Sequence, residues 1–422
     1  MKERLILLET TSYFKYQTLI REIERQLTAT FQEIDDLMLI NQARVLDAFR
    51  AEQVDETCFY ESTGYGYHDL GRHKLDSLYA RVFGAEAGLI RPQFVSGTHA
   101  IACCLYGVLE QGNRLVSLTG RPYDTLQKAL GLSSSDNGGL RAQKISYAEA
   151  DLTTGLDHDL LDYILAEKTQ VVLIQRSRGY AQRRALTMAD IADLVLAVKK
   201  RQPDTIVFVD NCYGEFVQER EPCHGGADLV AGSLIKNPGA GLAAGGGYVV
   251  GRADLVEKAA WRLTAPGLGA GVGAMGTVKR LFFQGLFLAP HQVGQALKGM
   301  VLAAALFERF GYSVSPSPTE MRGDIVQSIS LGSPELLKLF CRAVQAASPI
   351  DSHLRPQPAP MQGYNNKIIM AAGTFVQGAS SEFSADGPLR PPYTVFLQGG
   401  LTYEHCKLAL AEVLAALETR LS

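Results

Sequence analysis

The sequence predicts an α/β fold: a mainly parallel sheet with helices on both faces, followed by a smaller C-terminal α+β domain. Three observations predict it. Continuous apolar runs bounded by polar residues recur at Leu115–Leu118, Val171–Ile174 and Ile206–Val209, the pattern of parallel strands buried on both faces. Between the last two lies a well-marked helix. Thr187-Met-Ala-Asp190 fits a capping box, Ile191, Leu194, Val195 and Val198 share one face, and Lys199-Lys200-Arg201 complement the C-terminal dipole before Pro203. Strand, helix, strand at this spacing predicts a right-handed parallel crossover. From about Val301 onward the texture changes, which marks the smaller domain.

Taken in order, Phe14 to Leu46 reads as helix, because Leu19, Ile20, Ile23, Leu27, Phe31, Ile34 and Leu37 recur at helical spacing. Residues 1–55 are therefore expected to form an N-terminal helical arm. The aromatic and Gly-rich stretch Glu61 to Arg72 reads as an ordered loop, since it lacks the Pro and Ser of a spacer. Residues 56–300 are assigned to the large domain and 301–422 to the small one. In the latter, helical patterning over Leu302–Phe310 and Glu335–Ala347 precedes a Pro-rich turn. A hairpin is expected to pair Lys367–Met370 with Thr374–Gln377 through Ala371-Ala-Gly373, and a final helix to run from Tyr403 to about Leu421. No internal repeat or low-complexity tract interrupts the chain.

Bulk properties narrow the function classes. The chain has 422 residues, 46% hydrophobic and 20% charged, with a formal net charge of -3. That balance offers nothing to nucleic acid or an anionic membrane surface. No apolar run reaches the length of a membrane span, and the start, Met1-Lys2-Glu3-Arg4-Leu5, carries charge without a long apolar stretch after it. Seven cysteines occur without a C-x-x-C pair. Reduced thiols, a cytoplasmic location and no metal site are the resulting expectations.

Four segments carry chemistry. Val95-Ser96-Gly97-Thr98-His99 closes a strand and opens an apolar helix reaching Leu109. Such a turn presents free N–H groups, hydroxyls and a positive dipole end to a phosphate, or it is plain N-capping by Ser96 or Thr98. Asp210, at the C-terminal end of a buried strand, lies where ligands of α/β sheets gather. A carboxylate there can hold a pyridinium nitrogen protonated; a solvated loop aspartate is the alternative. Lys236, within Gly232-Ser-Leu-Ile-Lys-Asn-Pro-Gly239, has apolar and small neighbours that favour a desolvated amine and Schiff-base chemistry. Tyr123, in Gly120-Arg-Pro-Tyr-Asp-Thr125, can stack on an aromatic ring, unless the segment is an ordinary type I turn.

The order of these segments, with the lysine 26 residues after the aspartate, resembles the fold-type I pyridoxal-phosphate enzymes. The closer resemblance is to the methionine gamma-lyase family, also called aluminium resistance proteins and related to cystathionine lyases. It is carried by Ser62-Thr-Gly-Tyr-Gly-Tyr67, Asp69-Leu-Gly-Arg72, Arg91-Pro-Gln-Phe-Val-Ser-Gly-Thr-His99, Gln175-Arg-Ser-Arg-Gly-Tyr180 and the segment around Lys236, from about Asn41 to Gly400. The resemblance implies pyridoxal 5′-phosphate as cofactor, with Lys236 as its covalent anchor and as base at the substrate Cα. It also implies Asp210 on the ring nitrogen, Tyr123 stacked on the ring, and Ser96, Gly97, Thr98 and Ser233 on the phosphate. Related lyases send a Tyr-x-Arg segment into the neighbouring subunit. That spacing is absent here, and Tyr65 or Tyr67 with Arg72 is the approximate equivalent. Tyr67 is also assigned to the substrate side. For the substrate α-carboxylate, Arg390 in Gly387-Pro-Leu-Arg-Pro-Pro-Tyr393 is expected, with Arg322 as its rival. The roles of Arg176 and Arg178 stay open.

The implied activity is carbon–sulfur elimination from a sulfur amino acid, of the methionine gamma-lyase or cystathionine beta-lyase kind, by a homodimer or homotetramer acting on a small-molecule amino acid. The alternatives are a cofactor-binding protein of low turnover in metal or stress tolerance, or another amino-acid reaction such as aldol-type cleavage. Two motifs are set aside. Gly271-Val-Gly-Ala-Met-Gly276 matches G-x-G-x-x-G but follows no clear strand, and Cys212 reads as a small packing residue rather than a nucleophile.

Overall fold

The computed structural model describes residues 12–132, 139–140, 142–361, 364 and 366–421. They form two compact units, Ile40–Ala289 and a second that joins the chain up to Leu39 with the chain from Pro290 onward.

The large unit is built on strands β1 (Ala87–Arg91), β2 (Arg114–Ser117), β3 (Ser146–Glu149), β4 (Val171–Gln175), β5 (Ile206–Asp210), β6 (Leu229–Ser233) and β7 (Gly247–Gly251). They make one seven-stranded sheet in the order β1-β7-β6-β5-β4-β2-β3. The neighbours from β3 to β6 are parallel, and β7 alone runs against the others, pairing antiparallel with both β6 and β1. Every residue of β4, β5 and β6 is buried, which is why these strands read as unbroken apolar runs rather than alternating ones. The expected crossover helix is α7 (Met188–Arg201), preceded by α1 (Ser12–Gln26), α2 (Thr28–Ala51), α3 (Leu70–Phe83), α4 (Gly97–Val108), α5 (Asp124–Ala129) and α6 (His158–Ile164). Thr187 and Asp190 form the reciprocal capping box at the start of α7. Helix α8 (Ala253–Leu263) completes this unit, and the core packs α4 and α8 over the sheet through Leu105, Val108, Leu255 and Ala259. Asp76 of α3 fastens β1. Its carboxylate accepts from Ile90 N at 2.8 Å and from both terminal nitrogens of Arg91 at 2.6 and 2.9 Å, a bidentate pair out of water.

The second unit contains the end of α9 (Lys279–Arg309), α10 (Pro334–Ala346), α11 (Tyr403–Leu421) and a five-stranded antiparallel sheet. Its strands are β8 (Ser313–Ser315), β9 (Val326–Ser330), β10 (Ile368–Ala371), β11 (Ser384–Pro388) and β12 (Thr394–Gln398), in the order β10-β11-β12-β9-β8. Two expectations are corrected here. The division falls at Ala289–Pro290, inside α9, not at residue 300. Residues up to Leu39 pack with the C-terminal unit instead of forming an arm. Ser12 Oγ donates to Glu412 at 2.8 Å, Tyr403 OH donates to Glu24 at 2.9 Å, and Lys298 pairs with Asp35 at 2.6 Å. The expected hairpin is also replaced, since β10 pairs with Ser384–Pro388. Glu382 explains the change: its buried carboxylate accepts from Phe375 N and Val376 N at 2.8 and 3.0 Å, so the amides a second strand would use are already engaged.

Candidate active site

Parallel strands end on one edge of the sheet, so the residues closing β4, β5 and β6 are neighbours. Gln175 is in register with Asp210, and Asp210 with Ala231, two residues before Ser233. Asp210 is 3% exposed, and its Oδ1 accepts from Cys212 N at 3.1 Å. Burial raises its carboxyl pKa, against the pull of the Lys236 cation. Lys236 lies three residues past β6. Its Nζ is 3.8 Å from the centroid of the Tyr213 ring, in reach of a cation–π attraction. Burial disfavours the ammonium, yet the acidic groups of Cys212, Tyr213, Asp210 and Glu215 prevail, and the Lys236 pKa is raised. Tyr213 itself has a φ of 72°, a left-handed conformation that a bulky residue adopts only where its surroundings enforce it. Asn237 does so, donating from Nδ2 to Tyr213 O at 3.1 Å and to Glu215 O at 2.9 Å.

The turn opening α4 lies against the same strand ends. Ser96 is its N-cap, and its Oγ accepts from His99 N at 3.1 Å. That leaves the hydroxyl proton and the first amides of the helix free to face an anion. A methyl group on Gly97 would stand 3.1 Å from Ser233 Cβ and 3.3 Å from Cys212 Sγ, so the turn lies close against β6 and a larger residue would press on both neighbours. Thr98 Oγ1 and Tyr123 OH are hydrogen bonded at 3.1 Å, and Tyr123 N donates to Gln175 Oε1 at 3.2 Å. Ser96, Gly97, Thr98, Tyr123, Asp210, Ser233 and Lys236 therefore gather at one sheet edge. Cys212 is held there as a buried thiol whose pKa burial pushes well up.

The donor set fits pyridoxal phosphate. Hydroxyls and helix-terminal amides could hold a phosphate, a buried carboxylate suits a ring nitrogen, and the Lys236 amine would supply the covalent anchor. Tyr213 and Glu215 escaped the sequence reading; their signal was their place in the turn directly after Asp210.

Arg72 is fully buried, and it donates to Gly66 O at 2.7 Å, Gly273 O at 3.0 Å and Gly271 O at 2.9 Å. Through these bonds the guanidinium fastens two glycine-rich loops to each other. Asp69 adds to this, accepting from Lys279 Nζ at 2.8 Å and from Ser62 Oγ. Tyr65 and Tyr67 stack on each other with centroids 5.4 Å apart, 69% and 61% exposed. The Gly271–Gly276 motif follows a single 3-10 turn, not a strand. Its amides at Gly273 and Gly276 donate to Tyr65 O and Ser62 O, leaving none of these for a dinucleotide. Arg176 is buried behind Asp210, donating to Asn211 Oδ1 at 2.8 Å, and lies 3.7 Å from Glu221. Arg178 is also buried. Arg390 is exposed at the turn between β11 and β12, whereas Arg322 is buried and donates to Gln327 Oε1 at 2.7 Å. Among the described residues no group of three or more His, Cys, Asp and Glu is arranged to hold a metal ion. None of the described helices is long and apolar enough to cross a membrane.

The family model for methionine gamma-lyase matches residues 16–418. An uncharacterized Bacillus subtilis (strain 168) protein, YnbB, is 48% identical over 94% of this chain and 95% of its own. A solved structure from Clostridium novyi NT, described as a carbon-sulfur lyase involved in aluminum resistance, aligns with a TM-score of 0.94 at 42% identity, covering 99% of each chain. Another from Listeria monocytogenes, also described as involved in aluminum resistance, gives 0.92 at 45% identity over 94% of this chain and 99% of its own. The Escherichia coli pyridoxal-5′-phosphate dependent protein YhfS shares the fold, with a TM-score of 0.61 at 17% identity over 90% of this chain and 97% of its own. With the match running through both sheets and through every segment of the sheet-edge cluster, the chain belongs to the methionine gamma-lyase family of pyridoxal-phosphate enzymes.

Proposed function

We propose that this chain is a carbon–sulfur lyase that eliminates at the β or γ carbon of a sulfur amino acid. The gathering of Lys236, Asp210 and the Ser96–Thr98 turn at one sheet edge carries the reading. Pyridoxal phosphate, when bound, supplies an electron sink for negative charge developing at the substrate Cα. Ser96, the amides of Gly97 and Thr98, and Ser233 would hold the phosphate, and Tyr123 would cover one ring face. Asp210, short of water and close to the Lys236 cation, would hold a proton on the ring nitrogen. The Lys236 amine would anchor the cofactor, take the proton from Cα and deliver one to the leaving sulfur or the carbon chain. Arg390 remains our choice for the substrate carboxylate, and the exposed Tyr65–Tyr67 stack for a neighbouring subunit in a homodimer or homotetramer.

The test is to incubate purified protein and pyridoxal phosphate with methionine, cystathionine and cysteine, measuring thiol, ammonia and 2-oxo acid. Lys236→Ala serves as control. Wild type should release all three products from at least one substrate, and borohydride should fix the cofactor to Lys236 as seen by mass spectrometry. The variant should do neither. Cofactor fixed at another lysine would sink the site, and fixation without any release of products would sink the reaction.

A further inference from the structure

Behind the Lys236 turn lies an acid for which the reaction above has no use. Glu215 is fully buried. Its Oε1 accepts from Tyr248 OH at 2.8 Å, and its Oε2 has no hydrogen-bond partner among the described residues. The position is built, not incidental. A methyl group on Gly232 would come within 2.7 Å of both Glu215 Oε1 and Tyr248 OH, so glycine just before Ser233 makes room for this pair. Asn211 Nδ2 donates to Tyr248 OH at 3.4 Å and to Glu221 Oε2 at 3.0 Å. The acid is thus tied to the residue following Asp210. Asn237, next to Lys236, holds the Glu215 carbonyl. One turn therefore carries Tyr213 under the lysine amine and Glu215 on the buried side.

A buried carboxyl with one unpartnered oxygen is costly to ionise, and only a nearby cation offsets the cost. The titratable groups that face it are Tyr248 on β7, Tyr79 on α3, Cys212 and Glu221 in the stretch after β5, and Lys236. Of these only Lys236 is cationic; two guanidiniums also flank the turn, Arg176 against Gly214 and Arg44 over the Phe216 ring, and both are paired with Glu221. Resting on the assignment of Lys236 above, we propose that Glu215 is a positioning residue whose charge is coupled to that of Lys236. When Glu215 loses its proton to bulk water the lysine is favoured as ammonium, and when Glu215 is neutral the amine is more readily free to act as base. Burial holds the carboxyl protonated up to about 8, so the coupling operates in the range where an enzymatic base titrates.

The coupling is tested on the cofactor-free protein, where failure of the lyase reading has no influence. Infrared difference spectra of wild type minus Glu215→Gln isolate the C=O stretch of the protonated carboxyl. That band should persist at neutral pH and disappear above it. In Lys236→Ala its midpoint should rise by about one pH unit or more. Linkage requires the converse shift. Acetylation of Lys236 by a small reagent, measured by mass spectrometry above the Glu215 midpoint, should then be about tenfold faster in Glu215→Gln for each unit of coupling. Tyr248→Phe, which leaves both groups in place and removes the donor to Oε1, should move the band further upward. A carboxyl already ionised at neutral pH, or a midpoint that ignores Lys236→Ala, would overturn the proposal and leave Glu215 a packing element.

Discussion

Arg72→Met separates a cofactor ligand from a loop fastener. The native guanidinium donates to the carbonyls of Gly66, Gly271 and Gly273 at 2.7, 2.9 and 3.0 Å. Bonds from a charged donor are worth about 1.5–3 kcal/mol each. They do not add in full, because Gly271 is exposed and water replaces its lost donor, while Gly66 is buried and is left unsatisfied. We therefore expect a net loss below the lower end of the sum, about 3 kcal/mol, felt locally where the two loops meet. Methionine fills part of the space but donates nothing. The amides of Gly273 and Gly276, which donate to Tyr65 O and Ser62 O, report that opening, and about 3 kcal/mol corresponds to roughly a hundredfold faster hydrogen exchange. Exchange followed by mass spectrometry on cofactor-free protein should show it over residues 271–276, with β4 and β5 unchanged. Unchanged exchange together with a large loss of pyridoxal phosphate affinity would refute the reasoning and return Arg72 to the phosphate.

Gly97→Ala should weaken pyridoxal phosphate binding by about 1–3 kcal/mol, because the new methyl presses on Ser233 and Cys212; an unchanged affinity by fluorescence titration would place the phosphate elsewhere. Glu215 also shapes stability against pH. Its folded pKa is raised to about 8 from 4.5, so between those values the native state keeps a proton that the unfolded chain has released. Stability from this group is full below about 4.5 and is lost as pH rises toward 8, by about 1.4 kcal/mol per unit. Lys236, raised above its ordinary value, stays charged throughout that window and adds no slope. Urea midpoints of Glu215→Gln should fall less steeply than those of wild type from pH 5 to 8, and parallel curves would contradict the burial account. Arg390→Ala should cost roughly 2–5 kcal/mol in kcat/KM with the cofactor spectrum unchanged; no loss would move the carboxylate site to Arg322.

The sheet was legible because its strands are buried on both faces. Leu115–Leu118, Val171–Ile174 and Ile206–Val209 each appear as β-strand within a residue of the expected ends, since apolar residues dominate a run that has no solvent side, with Ser117 the one polar residue among them. Strands that depend on partners were not legible. β11 reads Ser-Ala-Asp-Gly-Pro, with none of the β-branched or aromatic residues that signal a strand. Its pairing is supplied by neighbours on either side, β10 and β12. Thr374-Phe-Val-Gln377 carries the propensity instead, and a buried carboxylate claims its amides. Propensity lost to a specific hydrogen bond.

The site divides along the same line. Ser96, Asp210 and Lys236 were visible because each occupies a local context that announces it: a helix start, a strand end, a lysine among apolar and small residues. Parallel strands bring such contexts to one edge regardless of separation along the chain. Arg72 announced itself in the same manner, as a conspicuous cation beside aromatic residues, and the partners the structure gives it are backbone carbonyls. A charge has meaning only through the groups it meets, and the carbonyls of Gly271 and Gly273 lie some two hundred residues away in sequence. Glu215 is the inverse case. Nothing local distinguishes it from a surface glutamate, and its character comes from Tyr248 and Gly232 on two other strands. The residues most dependent on tertiary neighbours are thus the ones a local pattern hides, and in this fold they lie directly behind the lysine, where a perturbed acid has most leverage on the chemistry.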